Sequence, residues 1–485
     1  MATNLTDSEV LGRHIIGGSE MGTPTRTVTS PRSHHEVVGQ VAIGDASVVD
    51  QAVAAAAAAA GEWHRIGPMA RGEYLYRAAD ALEEERPALA RLASREMGKP
   101  IGEMLGEVAR GVAILRYYAG DGARAVGEVI PAARPDTLQY TRRVPLGVVG
   151  VITPWNFPVA IPVWKIAPAL AYGNTVVFKP AEIASLTAYQ LTRLLSQVLP
   201  PGVLNLVIGD GPVAGVALSQ HPSVQALSFT GSTAAGHSVA RAALEHGAKF
   251  QLEMGGKNPA LVLEDADLPK TVESIVSGAM RSAGQKCTAT SRVIVLPGIR
   301  AALVDALVSR IGALSVGDPL DPGTYVGPLA SKRQMQHALD LLATGVPQGA
   351  RLLIGGGPSD VGDGWFVAPT VFDRATPEMT IAQEEIFGPA LCVMEAPNLD
   401  AAVAMTNSVR YGLSASVFTR DLGAALSLVD RMEAGLIRVN EETAGVEYAA
   451  PFGGIKASSS HSREQGQAAR EFYTEVRTIA LRAAP

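Results

Sequence analysis

The stretch Gly147-Val148-Val149-Gly150-Val151-Ile152-Thr153-Pro154-Trp155-Asn156-Phe157-Pro158 opens with an unbroken apolar run and passes into a loop stiffened by two prolines. The apolar run is too short for a stable helix and suits a strand buried on both faces. Outward from it the pattern repeats. A helix is expected over Ile161–Tyr172, a strand over Thr175–Lys179 and a helix over Leu186–Val198. Strands follow over Val203–Ile208 and Val224–Phe229, then a helix over Ala234–His246. Such βαβ alternation implies a parallel sheet covered by helices on both faces. A second set runs from Leu261–Leu263 through helix Val272–Ser282, strand Arg292–Leu296, helices Ala301–Leu314 and Lys332–Leu342, and strand Val371–Phe372. It closes with helix Ala401–Thr406 and strand Ser414–Thr419. Two successive sets predict an α/β chain of two lobes, parted near Glu253–Pro259.

Upstream, helices are expected over Val48–Ala60, Ala70–Glu85, Pro87–Glu96 and Ile101–Tyr118, the first opened by a capping box of Ser47 and Asp50. Ala132–Arg143 is polar and alternating, the pattern of an extended arm. The tail Thr474–Arg482 alternates again and is expected to pair with the arm of a partner subunit.

The 47 acidic residues outnumber the 41 basic ones, and no dense basic stripe is present, which argues against a nucleic-acid partner. Only two cysteines occur in 485 residues, pointing to a reducing compartment. The N-terminus lacks the basic flank and apolar core of a signal peptide. The longest apolar region, Leu146–Trp164, is broken by three prolines and Asn156, so no membrane span is expected. A cytoplasmic protein is expected.

Several short stretches carry chemistry. Ala283-Gly284-Gln285-Lys286-Cys287-Thr288-Ala289 sets a thiol among small residues, where a substrate can approach it. Asn156, on its proline-held loop, suits a preorganised donor to a developing negative charge; the bland alternative is a turn asparagine. Lys179 and Glu182 stand at a strand's carboxyl end, where dinucleotides lie, and can hold ribose hydroxyls. Gly231 and Ser232 open a helix whose first N–H groups can meet a phosphate. Glu253 lies beside two glycines at the lobe junction and is a candidate general base. Glu385 offers a further ribose ligand, or only a charged helix end. No metal-ligand set is assigned.

Taken in order, the Thr153–Pro158 loop, Lys179–Glu182, Gly231–Gly236, Glu253, Cys287, Glu384–Pro389 and Pro451-Phe452-Gly453-Gly454 resemble the NAD(P)-dependent aldehyde dehydrogenase superfamily over essentially the whole chain. The resemblance implies a Rossmann-type cofactor domain over 1–122 and 146–253 and an α/β catalytic domain over 254–456. It also implies a bridging, oligomerising β-arm over 123–145 and 470–485. It implies Cys287 as nucleophile, Asn156 as oxyanion donor and Glu253 as the base for thioester hydrolysis. Ile152, Thr153, Pro154, Trp155, Lys179, Glu182, Gly231, Ser232, Glu385 and Phe387 would bind the cofactor, with NAD preferred over NADP because of Glu182. The partners implied are a small-molecule aldehyde and further copies of the chain in a homodimer or homotetramer.

Phe157, Trp164 and Phe452 are assigned to the substrate tunnel. Arg281 stands where many members carry an aromatic, and its guanidinium is expected to clamp a substrate carboxylate. With it, Gly284–Arg292 looks like the bacterial 2,5-dioxopentanoate (α-ketoglutarate semialdehyde) dehydrogenases. One departure is the serine-rich loop 457–462, one residue longer than usual, which leaves subunit contacts or the tunnel edge in doubt. Two alternatives stay open: a dehydrogenase for hydrophobic or aromatic aldehydes, and a non-redox cysteine hydrolase or acyltransferase. The second needs a histidine beside the thiol, and none of the nine sits in a recognisable partner motif.

Overall fold

The computed structural model describes residues 9–124, 127–460 and 462–482. The ends of the ranges assigned to domain and arm (1–8, 125–126 and 483–485), and His461 of the serine-rich loop, lie outside the described residues. The described residues form two seven-stranded sheets, a three-stranded arm, a second three-stranded sheet and a two-stranded ribbon.

The first sheet runs Lys249–Glu253, Ala226–Thr230, Val148–Ile152, Thr175–Lys179, Leu204–Leu206, His14–Ile16, Ser19–Met21 from edge to edge. Its first five strands are parallel, and the last two join antiparallel. Every residue of Val148–Ile152 is buried, as a strand covered on both faces requires. The second sheet runs Arg351–Ile354, Thr370–Asp373, Ala390–Glu395, Thr290–Val295, Asn258–Val262, Ser414–Phe418, Leu436–Val439. The first sheet's last strand thus ends at Glu253 and the second sheet's first begins at Asn258, with Met254–Lys257 crossing between them.

The alanine-rich helix spans Ala46–Arg65 and buries Val49, Ala52, Val53 and Ala56, one face at helical spacing. Its cap differs from the expected one. Asp45, not Ser47, accepts from the backbone N–H groups of Ser47 and Val48, and the Ser47 hydroxyl itself donates to Asp45. A carboxylate with several acceptor sites outcompetes a hydroxyl for those amides. Strands within Val10–Val41 went unforeseen: His14–Ile16 is only three residues, and Ser33–Val41 opens on exposed His34 and His35 without a strict alternation.

The tail is a second correction. Thr474–Arg482 pairs antiparallel with Thr137–Pro145 of the same chain, in unbroken register from Thr474 opposite Pro145 to Arg482 opposite Thr137. Helix Ala469–Tyr473 delivers the tail beside the arm's root, so the intramolecular partner is reached first. Among the described residues, no helix is long and apolar enough to cross a membrane.

Candidate active site

In the first sheet the chain leaves Val148–Ile152 toward one edge, then returns to Ala226–Thr230 and builds toward the other. A crevice opens at the carboxyl ends of strands where connections diverge in this way. Both loops above it line a cavity of about 310 Å³: Pro154, Trp155 and Asn156 from one side, Thr230, Gly231 and Ser232 from the other. Ser232 caps helix Thr233–Glu245. The Trp155 ring meets Phe387 edge-on at 5.4 Å. The opposite wall holds Met254, Gly255, Cys287, Glu385 and, from helix Lys332–Leu342, Arg333, Gln334 and His337.

Cys287 reaches this wall through a strained turn. Helix Leu268–Met280 ends, and Ser282 (φ 56°), Ala283 (φ 51°) and Gly284 (φ 68°) are all left-handed. Two non-glycine residues in that region are costly unless surroundings hold them, and here they do. The backbone N–H and hydroxyl of Ser282 both donate to Glu103 (3.0 and 2.6 Å). A Cβ on Gly284 would lie 2.0 Å from the Gly388 carbonyl oxygen, so only glycine fits. Asn258 Nδ2 donates to the carbonyls of Cys287 (2.8 Å) and Ala289 (2.9 Å). Asn156 Nδ2 donates one hydrogen to the Gln285 carbonyl at 2.9 Å, which fixes the amide and leaves its second hydrogen for the cavity.

The electrostatics are those of a closed site. Burial pushes the Cys287 thiol up to about 12, with the Glu385 and Glu253 carboxylates adding to it. Burial likewise raises Glu385 to about 7, against the Gly256 N–H that it accepts at 3.0 Å. Glu253 is held well above the carboxylate range, first by burial and then by the charge of Glu464. Its Oε2 accepts from Ser459 at 2.6 Å, and its Oε1 has no hydrogen-bond partner among the described residues. Lys179 is buried and lowered by it, with Glu182 and Asp210 opposing; the Glu182 carboxylate accepts from Gly211 N at 3.0 Å.

The cavity therefore gathers Asn156, Cys287, Pro154, Trp155, Gly231, Ser232, Glu385 and Phe387. Ile152, Thr153, Lys179 and Glu182 stand further along the same strand ends. Glu253 is not on the cavity wall: it turns toward Ser459 and Glu464, although its charge is felt at Cys287. Phe157, Trp164 and Phe452 are also outside it. Trp164 and Phe452 pack at 5.4 Å, and Phe157 lies beneath the Lys99 ammonium at 3.7 Å.

Arg281 is not brought to this cavity either. The residue ends the helix with an extended ψ of 147°, which sends its side chain to the surface, over the Tyr325 ring at 5.1 Å. It lines a separate cavity of about 360 Å³ with Glu103 and Arg310.

Asn258, Ser459 and Glu464, and the place of Arg333 and His337 from the expected helix Lys332–Leu342 on this wall, escaped the sequence reading. Each acts from a distant segment, and only the Arg333–His337 spacing of four was a visible signal of one helix face. The buried hydroxyls Thr153 Oγ1 and Thr230 Oγ1, at the ends of adjacent parallel strands, have no hydrogen-bond partner among the described residues. Two such orphaned groups over a switch point fit a dinucleotide that supplies the missing hydrogen bonds.

A family model described as "Aldehyde dehydrogenase family" matches residues 19–479. The chain is 50% identical to the alpha-ketoglutaric semialdehyde dehydrogenase of Bacillus subtilis, covering 93% of each chain. It is 41% identical to the alpha-ketoglutarate semialdehyde dehydrogenase of Haloferax volcanii, over 95% of this chain and 96% of the relative. The crystal structure of betaine aldehyde dehydrogenase from Staphylococcus aureus in complex with NAD+ superposes with a TM-score of 0.94 at 33% identity, over 97% of this chain and 94% of that one.

Proposed function

This chain belongs to the aldehyde dehydrogenase family, and on that premise we propose that it oxidises an acidic semialdehyde of the 2,5-dioxopentanoate kind to the dicarboxylic acid, preferring NAD. The observation that carries the substrate is the identity, over nearly the whole length, to relatives named for α-ketoglutarate semialdehyde. The first sheet, with 1–122 and 146–253, serves the cofactor; 254–456 serves catalysis; and the arm, with Leu138, Val476 and Leu481 exposed, is where a second copy docks.

The Cys287 thiol loses its proton to water in the cavity, and the sulfur attacks the aldehyde carbon; the C–S bond forms as the C=O electron pair moves onto oxygen. The oxygen, now negative, is held by the second Asn156 Nδ2 hydrogen and the Cys287 backbone N–H, both fixed beforehand by the loop. NAD(P), when bound over the strand ends, supplies the hydride acceptor. What is left on Cys287 is a thioester. Glu253 swings from its buried pocket to take a proton from water, whose oxygen attacks the thioester carbon and expels the Cys287 thiolate. NAD is favoured because Glu182 and Asp210 stand together at the ribose end, where a 2′-phosphate meets like charge; Arg26 nearby is already paired with Asp210.

With Arg281 elsewhere, the substrate carboxylate falls to Arg110 on helix Ile101–Ala119. Its guanidinium makes no hydrogen bond or ion pair among the described residues, and its Nε is buried without a partner. One turn earlier, Glu107 accepts from Val159 N and Ala160 N, just beyond Phe157; Glu447, shortly before Phe452, faces the same guanidinium. Arg110, hydrogen-bonded to nothing among the described residues and facing Glu447 and Glu107, is the donor we assign to such a substrate.

Steady-state kinetics with 2,5-dioxopentanoate and hexanal test this. Arg110→Leu is expected to lower kcat/KM on the acid about tenfold or more while sparing hexanal, and Arg281→Leu to change neither. A wild-type preference for hexanal overturns the substrate assignment.

A further inference from the structure

The serine-rich loop that interrupts the family pattern has a definite place. It runs antiparallel to the segment that carries Glu253. Met254 N donates to Ser458 O at 2.7 Å, Ser460 N to Leu252 O at 2.9 Å, and Glu253 and Ser459 form the bridge between them. The other serine hydroxyls hold the register. Ser458 Oγ donates to Gly255 O (2.8 Å), Ser460 Oγ accepts from Leu252 N (2.8 Å), and Ser462 Oγ accepts from Gln251 Nε2 (2.9 Å). Residues directly opposite in an antiparallel pair present their side chains on one face, close enough to bond. The loop's register thus dictates which side chain Glu253 meets.

The direction of that contact is set by its neighbour. Gly454 N donates to Ser459 Oγ at 2.6 Å. With that lone pair occupied, the hydroxyl's own hydrogen points to Glu253 Oε2, also at 2.6 Å. Ser459 is therefore a donor to the carboxylate, and a donor favours its ionised form. Burial and Glu464 oppose ionisation, while Lys165 and Arg463 favour it. Glu464 faces Glu253 with like charge while bonded to Trp164 Nε1 at 2.7 Å and paired with Lys165; Arg463 and Lys165 face it as cations. Oε1 has no hydrogen-bond partner among the described residues, and a Cβ on Gly453 would lie 2.8 Å from it, so glycine at 453 is what leaves room on this side.

We propose that Ser459 is the positioning residue of the hydrolytic step: its hydroxyl parks Glu253 away from Cys287 and keeps the carboxylate ready to accept a proton. This rests on Glu253 being the base. In the step itself the water proton goes to Glu253, the C–O bond forms, and the C–S bond breaks with its electron pair on sulfur. Ser459 transfers nothing; its donated hydrogen bond offsets part of what burial and Glu464 do against the charged form.

The test follows stopped-flow NADH formation and steady-state kcat from pH 6 to 10. Ser459→Ala removes the donor, so the Glu253 limb of the kcat profile moves to higher pH by about one unit, an about tenfold loss at neutral pH that disappears in alkali. The NADH burst is unchanged, and Ser459→Thr, which keeps a hydroxyl, restores the profile. Ser459→Cys, a weaker donor, shifts the limb the same way by less and serves if the alanine variant does not fold. A loss equal at every pH, or a burst lost together with turnover, overturns the positioning role while Glu253 stands as base. An unchanged post-burst rate in Glu253→Gln overturns the base assignment, and the proposal with it.

Discussion

The two cysteines sit barely one strand apart, since Arg292, shortly after Cys287, pairs with Cys392 in the second sheet. Burial raises both thiols above their ordinary value, so acidity does not separate them. Backbone placement does. Cys392 lies within Ala390–Glu395, a strand buried on both sides, packed in the apolar core with its Sγ toward the Ser291 and Ile381 carbonyls at 3.6 and 3.8 Å. Cys287 follows three left-handed residues, has its carbonyl pinned by Asn258, and turns its sulfur into a cavity beside a fixed amide. Reactivity here is a property of the loop and not of the thiol.

Cys287→Ala should break the comparison most completely. Aldehyde oxidation is expected to fall by more than about a thousandfold while NAD binding, followed by fluorescence titration, persists; Cys392→Ser should leave turnover within about twofold, as a surface-inaccessible, unused thiol allows. Activity in the first variant or its loss in the second would show that the roles are misassigned.

Glu253→Gln comes next. Turnover after the burst is expected to slow about a hundredfold with the burst intact, because the carboxylate acts only on the thioester. A vanished burst measured by stopped flow would place Glu253 in the attack itself.

The smallest effect sharpens the contrast. Glu385 is ionised above about 7 and its charge opposes the Cys287 thiolate. Glu385→Gln should therefore shift the pH midpoint of iodoacetamide alkylation of Cys287 downward by about one unit or less. Cys392 should stay unlabelled in both proteins by peptide mass spectrometry.

Much of this was legible in the residues. Short apolar runs alternating with helical ones can bury both faces only as a parallel sheet, so Val148–Ile152 and its neighbours announce their own arrangement. The candidate groups Cys287, Asn156 and Glu385 were readable for a related reason. Each sits at the end of a local pattern, a proline-held loop or a run of small residues, whose conformation is decided within a few positions.

What only the tertiary structure decided lies where distant segments meet. The direction of Arg281 depends on the ψ at the end of its helix and on Tyr325, 44 positions further along the sequence. The Ser459–Glu253 contact depends on a strand-like register between residues 206 positions apart, and the intramolecular pairing of the tail with the arm on a register between segments still further apart. Composition and spacing report which groups a chain owns and what each neighbourhood can fold into. Which groups face one another is settled by long-range packing and register, where a shift of one residue turns a side chain to the opposite face.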